Sequence, residues 1–167
     1  MGSGGMILTR SKKLYVKMKH ISSTAKLTRR WSYTHDEIGY NYRMNNISAA
    51  IGCAQFEKLE KIIKSKRKLY SFYKKNFENF DSFELLSESK NTRSNYWLNA
   101  ILLKNKNPIM RDKYLNDLHN EGIFVRPIWD LMSSLKFLKK YPKMDLTNSR
   151  SIQNRIINLP SSPFLIK

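Results

Sequence analysis

Apolar residues recur at helical spacing along much of this chain, and the places where that period fails divide it into elements. Met6–Thr9 is a short apolar run that reads as a strand, with Thr9 able to cap the next element. Between Arg10 and His20, Leu14 and Met18, followed by Ile21, sit among lysines, which predicts a short amphipathic helix with a basic outer face. From Ser22 to Tyr33 the period is lost in a polar, basic connector containing Lys26, Arg29, Arg30 and Trp31. Loops of that length inside a compact protein are usually functional or form interfaces. From His35 the chain is a polar, aromatic loop that turns at Asn45 or Asn46 into a helix with Ile47, Ala50, Ile51 and Ala54 as one stripe. The helical pattern continues through Leu59, Ile62, Ile63, Leu69, Tyr70, Tyr73, Phe77 and Phe80. Its phase slips between Phe56 and Leu59, so the expectation is one bent helix or two nearly end to end.

Asp81 and Ser82 break the helix, and Phe83–Leu86 and Tyr96–Leu103, joined across a polar turn from Ser89 to Asn95, read as an antiparallel pair of strands. Asn107 followed by Pro108 is a helix start, with the amide as cap and proline in the first turn. That helix is expected from about Ile109 to Glu121, with Gly122 as its stop. Ile123–Val125 reads as a further short strand, delivering Arg126, Pro127, Ile128 and Trp129 to a strand end. Leu131–Tyr141 suggests a short helix before Pro142, and Thr147 a cap for a last helix over Asn148–Arg155. Ile156–Leu159 is an apolar segment closed by a turn at Pro160. There is no internal repeat or low-complexity segment.

With 167 residues, 41% of them hydrophobic, the chain is long enough for one domain with a core, or for part of a larger unit. No run approaches the roughly 18 apolar residues of a membrane span. The start MGSGGMILTR lacks the order of a signal peptide. Both point to the cytoplasm. Cys53, the single cysteine, has no internal disulfide partner and lies among small residues, so a buried structural thiol is expected. The net charge of +18 admits nucleic acid, an anionic surface or phosphorylated substrates as partners. Because the lysines are dispersed between apolar helix positions, solvated helix faces account for it better than a dedicated nucleic-acid patch.

Candidate chemistry is sparse. His20, His35 and His119 show no metal-ligand spacing, and neither a phosphate-binding glycine loop nor a nucleophile elbow occurs. Two polar clusters remain, Tyr40–Arg43 and Arg126–Trp129. Taken from the residues alone, each could equally anchor its own loop or contact a ligand.

The segment GYNYRMNNISAAIGCAQFEKLEKI, Gly39 to Ile62, resembles the signature of the pyridoxal-phosphate-dependent sugar-nucleotide aminotransferases of the DegT/StrS family. GGMILT near the start, RPIW and NLPSS fit the same pattern, so the resemblance runs over essentially the whole chain. ISSTAK, WSYTHDEIGYNYR and RPIW with LMSSL look most like the branch that makes 4-amino sugars for bacillosamine- or legionaminic-type glycans.

The resemblance implies an α/β fold, the C-terminal portion of a fold-type I aminotransferase. It would comprise a long helix plus a small domain with a short antiparallel sheet flanked by helices. It divides the chain into the end of the large domain with a dimer-crossing loop (1–45), a linking helix (46–80) and a small domain (81–167). The implied reaction passes an amino group from glutamate through pyridoxal 5'-phosphate to a 4-keto-6-deoxy nucleotide sugar in surface-glycan biosynthesis. The enzyme would be a homodimer. In the family the asparagine of the GYNYR loop reaches the cofactor phosphate of the neighbouring subunit, which maps onto Asn41. Arg43, Arg126 and Trp129, with His35 and Arg30 as weaker candidates, would face substrate. The family's Schiff-base lysine lies just upstream of the GGM segment, before Met1, and Lys12 and Lys13 do not match its place. No catalytic residue is therefore assigned, covalent cofactor binding is not expected, and the chain is expected to be inactive alone. Association with a separate N-terminal half would complete it. The alternatives are a basic nucleic-acid or anion-binding module and a pseudoenzyme partner of a full-length relative.

Overall fold

The computed structural model describes residues 4–166. The chain divides between Leu59 and Glu60 into two compact units.

In the first unit, helix α1 (Lys12–Ser22) is capped by Ser11, whose Oγ accepts the Leu14 amide, while Thr9 bonds only the Ser11 amide. Met6–Thr9 pairs with no strand among the described residues and is exposed, so the expected strand is absent there. Helix α2 (Asn46–Glu57) starts where its sequence predicts, with the Asn45 Oδ1 accepting the Ser48 amide. It ends at Lys58, at the predicted slip of phase. The segment between the helices folds back on itself: the Thr24 amide donates to the Tyr40 carbonyl, and the Tyr40 and Tyr42 amides to the Ile21 and Ser22 carbonyls. Ala25 is the one buried apolar residue of the core that this unit contributes. The apolar stripe of α2 is correspondingly open, and Cys53, expected to be buried, is exposed because the described residues put nothing over that face.

The second unit has a real core. Helix α3 (Leu59–Phe77) leads to strands β1 (Phe83–Leu85) and β2 (Asn99–Leu103), then helix α4 (Pro108–Asn120), strand β3 (Arg126–Pro127), helix α5 (Thr147–Gln153) and strand β4 (Ile156–Leu159). The sheet is antiparallel throughout, in the order β1-β2-β4-β3. β4 pairs Ile157 with Ile101 of β2 and with Pro127 of β3. All four residues of β4 are buried, the polar Asn158 among them with its Nδ2 donating to the Pro127 carbonyl, so the strand lacks the apolar–polar alternation of a half-exposed one. Ile101, Leu103, Val125, Ile157 and Leu159 form the core, and Tyr73 and Phe77 of α3 and Leu115 and Leu118 of α4 close over it. Asn107 caps α4 through the Ile109 amide, and Gly122, at φ +75, ends it in the left-handed region.

Several boundaries move. The third strand comprises Arg126–Pro127 in place of Ile123–Val125. Leu131–Tyr141 holds two short 3-10 turns, Met132–Ser134 and Lys136–Leu138, in place of a helix. Thr147 begins α5 within the helix, its amide and hydroxyl both bound to the Asp145 carboxylate, which these bonds hold below its ordinary pKa. β2 starts three residues late because Tyr96 is left-handed, at φ 46.

Candidate functional site

Among the described residues, each unit presents exposed, chemically able side chains at the positions the sequence singled out. In the first, the strand-like pairing of 40–42 with 21–24 alternates its side chains. Tyr40 and Tyr42 stack on one face, with centroids 5.3 Å apart at 10°, leaving the intervening Asn41 on the other. Gly39 makes this possible: a Cβ there would lie 2.3 Å from the Thr24 carbonyl carbon and 2.4 Å from the Ala25 amide nitrogen. Arg43 Nη2 donates to the Ser23 carbonyl at 3.2 Å. The His35 Nδ1 lies 2.7 Å from the Thr24 carbonyl oxygen and must donate to it, since a carbonyl oxygen only accepts. Asn41, Arg43 and His35 thus converge on Ser23–Thr24, with Asn41 bridged to Ser23. Arg30 lies apart, its guanidinium over the Trp31 ring at 5.3 Å. Tyr42, Arg43, Asn45 and Ser48 line a cleft of about 690 Å³ with Gly5, Thr9, Tyr15 and Lys19.

The fold also joins His20, Asp36 and Glu37, which sequence spacing did not connect. His20 Nε2 is 2.6 Å from the Asp36 carboxylate, which this bond holds below its ordinary pKa, and Lys17 Nζ reaches Glu37 at 2.5 Å. A lysine already engaged with one carboxylate makes the trio an electrostatic lock on the loop.

In the second unit, Arg126 and Trp129 line one cleft of about 640 Å³ with Trp97, Phe124, Asp130, Asn158 and Ser161. The Trp97 and Trp129 rings stack at 5.9 Å and 21°. Asn158 Nδ2 donates to the Pro127 carbonyl, and the Asp130 carboxylate accepts from Gln153 Nε2. Beneath the wall, Lys66 Nζ donates to the Trp97 and Ser161 carbonyls at 3.0 and 2.7 Å, and burial lowers its pKa. Trp97 and Lys66 were absent from the sequence candidates. The turn residues Ser94 and Asn95 immediately before an aromatic pair were the available signal.

Near that wall, Arg67 and Glu88 form a two-bond pair at 2.7 and 3.1 Å, with the Ser94 amide as a third donor. The guanidinium first, then that amide, pull the Glu88 carboxyl down to about 2.

Compared with known proteins, residues 1–167 match the profile of the DegT/DnrJ/EryC1/StrS aminotransferase family. The chain is 36% identical over 165 residues to GDP-perosamine synthase of Escherichia coli O157:H7, covering 98% of this chain and 43% of that protein. It is 26% identical over 159 residues to a UDP-4-amino-4,6-dideoxy-N-acetyl-beta-L-altrosamine transaminase of Campylobacter jejuni, covering 94% and 42%. Among solved structures, Helicobacter pylori PseC, an aminotransferase involved in the biosynthesis of pseudoaminic acid, superposes with a TM-score of 0.86 at 22% identity, covering 95% of this chain and 43% of PseC. The chain therefore spans less than half the length of the curated relatives it matches. No helix among the described residues is long and apolar enough to cross a membrane.

Proposed function

Since the chain belongs to the DegT/DnrJ/EryC1/StrS aminotransferase family, we propose that it forms the C-terminal part of a sugar-nucleotide 4-aminotransferase. The reaction of the whole enzyme would move an amino group from glutamate to a 4-keto-6-deoxy sugar on a nucleotide, for surface glycans, in the cytoplasm. In this reading residues 1–45 end the large domain and carry the dimer-crossing loop, 46–80 link, and 81–167 form the small domain.

One observation carries the reading. A unit matched along its whole length to a family of enzymes exposes Met6, Ile7, Leu8, Leu14 and Val16 while burying little more than Ala25. Apolar side chains left open in this number are what a segment presents when its core is completed by other parts of an assembly. The occupant is a homodimer partner together with the segment that relatives carry outside the matched portion. The basic module has no comparable support, since its lysines lie dispersed on helix surfaces.

Pyridoxal phosphate is the family's cofactor. When bound, it supplies an electron sink at the substrate carbon. The residues present fit its phosphate end: Asn41 offers an amide donor from a backbone pinned on both sides by hydrogen bonds. In this reading Asn41 donates to the phosphate of a neighbouring subunit's cofactor. Arg43, with donors left beyond the one given to Ser23, steadies the same anion. His35 and Arg30 face the substrate from this loop, and Arg126 and Trp129 face it from the small domain. In this reading no lysine of this chain is assigned the covalent role, and turnover depends on the part of the enzyme that relatives carry outside the matched portion.

The test mixes this chain with a separately produced N-terminal half carrying the family's lysine, and follows cofactor absorbance and glutamate-dependent formation of amino sugar. Absorbance and turnover are expected only in the mixture. Stable association without either would overturn the split-enzyme reading, and turnover by the chain alone would overturn its dependence on a partner.

A further inference from the structure

We propose that the stacked Trp97–Trp129 pair is a platform for the base of a nucleoside diphosphate, with Arg126 taking its phosphates. The proposal deepens the reading above, on which a nucleotide-linked substrate rests, and is carried by three observations.

The first is the pair itself. Two near-parallel indoles 5.9 Å apart, 63% and 66% exposed, leave large apolar faces in water. Their own stacking offsets only part of that exposure, and a flat heteroaromatic ring would cover the remainder. Second, the backbone is distorted to set Trp97 outside. Tyr96 is held at φ 46, a conformation that a bulky side chain adopts at a cost. Several contacts fix it there: its ring stacks on Tyr70 at 4.1 Å, its amide donates to Ser94 Oγ, and the Trp97 amide donates to Asn95 Oδ1. Lys66 clamps the Trp97 carbonyl from below. Third, Arg126 is the one cation on the cleft wall among the described residues, and the one carboxylate there, Asp130, is engaged by Gln153. A planar stacking surface beside a guanidinium that no described carboxylate engages suits a ring joined to phosphate.

The test uses the full chain carrying Trp31→Phe, so that tryptophan emission reports Trp97 and Trp129 alone. GDP and UDP, guanosine, inorganic pyrophosphate and methyl mannoside are titrated in turn. Saturable quenching by a nucleoside diphosphate is expected. Trp97→Leu and Trp129→Leu should each weaken it by about tenfold, while Trp97→Phe retains most of it. Arg126→Gln should weaken GDP but leave guanosine unchanged. Leucine variants that bind GDP like their parent would overturn the platform. So would pyrophosphate or methyl mannoside binding as tightly as GDP. Should Trp97→Leu fail to fold, the parent chain decides: GDP must shield its tryptophans from acrylamide, and no shielding overturns the proposal. GDP binding lost in the leucine variants, alongside a reconstituted mixture that never transaminates, removes the proposed function and keeps the platform. Turnover whose KM ignores both substitutions does the reverse.

Discussion

Gly39→Ala tests whether the Asn41 loop is held by close backbone approach. The added Cβ would stand 2.3 Å from the Thr24 carbonyl carbon, 2.4 Å from the Ala25 nitrogen and 2.8 Å from the Thr24 Cα, where ordinary contact begins at 3.4 Å. All three neighbours are backbone atoms, so no rotamer change relieves the clash. The two segments must part by about 1 Å. The hydrogen bonds joining them are Thr24 N to Tyr40 O at 3.0 Å, Tyr40 N to Ile21 O at 2.7 Å and Tyr42 N to Ser22 O at 2.9 Å. A further ~1 Å carries all three beyond hydrogen-bond range. At a net ~1 kcal/mol each, the docked loop loses about 3 kcal/mol, or roughly a hundredfold in its opening equilibrium. Amide hydrogen exchange at Thr24, Tyr40 and Tyr42 should accelerate by up to that factor. Gly5→Ala, with nothing within 4 Å of the new methyl, should change none of them. Exchange within about threefold of the parent at all three amides would refute the reasoning.

The second unit yields three further expected outcomes. The Glu88 carboxyl is depressed from 4.5 to about 2 when folded, so its stabilising effect is present above pH 4.5 and is lost as pH falls through about 2. Acid titration by near-ultraviolet circular dichroism should show a transition in that window that Glu88→Gln lacks; identical curves would contradict it. Asn107→Ala removes the cap on the Ile109 amide and should cost about 1 kcal/mol, read as a lower thermal midpoint that Asn107→Asp largely restores. Ile157→Ala empties a fully buried position in the central strand and should cost about 3 kcal/mol in denaturant unfolding, with an unchanged midpoint counting against β4 as the centre of the core.

Features that a few adjacent residues determine were legible in the sequence. Asn45 and Asn107 announce their helices because a cap is a bond between a side chain and an amide two or three residues on. Lys58 falls where the apolar phase slips. Features that depend on distant partners were not. Ile156–Leu159 carries no alternation, because both faces of β4 are covered by segments far away in sequence. Cys53 and the α2 stripe have the pattern of buried residues, yet no described residue supplies the facing surface. In the candidate sites, motif and resemblance pointed to Asn41, Arg43, Arg126 and Trp129. Trp97 escaped notice because its residue type suits a strand, and only the left-handed turn at Tyr96 takes it out of the sheet and onto Trp129. Lys66 escaped because its two acceptors are 31 and 95 residues away.

The strand order β1-β2-β4-β3 has a consequence for synthesis. β1 and β2 can pair as soon as both leave the ribosome, but the inner edge of β2 and the whole of β3 have no partner until Ile156–Leu159 arrives to sit between them. Roughly fifty residues separate β2 from β4, which at about 5–20 residues per second is an interval of several seconds. Throughout it, Ile101 and Leu103 stand on an open edge, the kind of surface that pairs with other chains. Of the four described strands β4 is made last and closes the sheet, so this sheet is most open to aggregation and to chaperone capture just before β4 emerges.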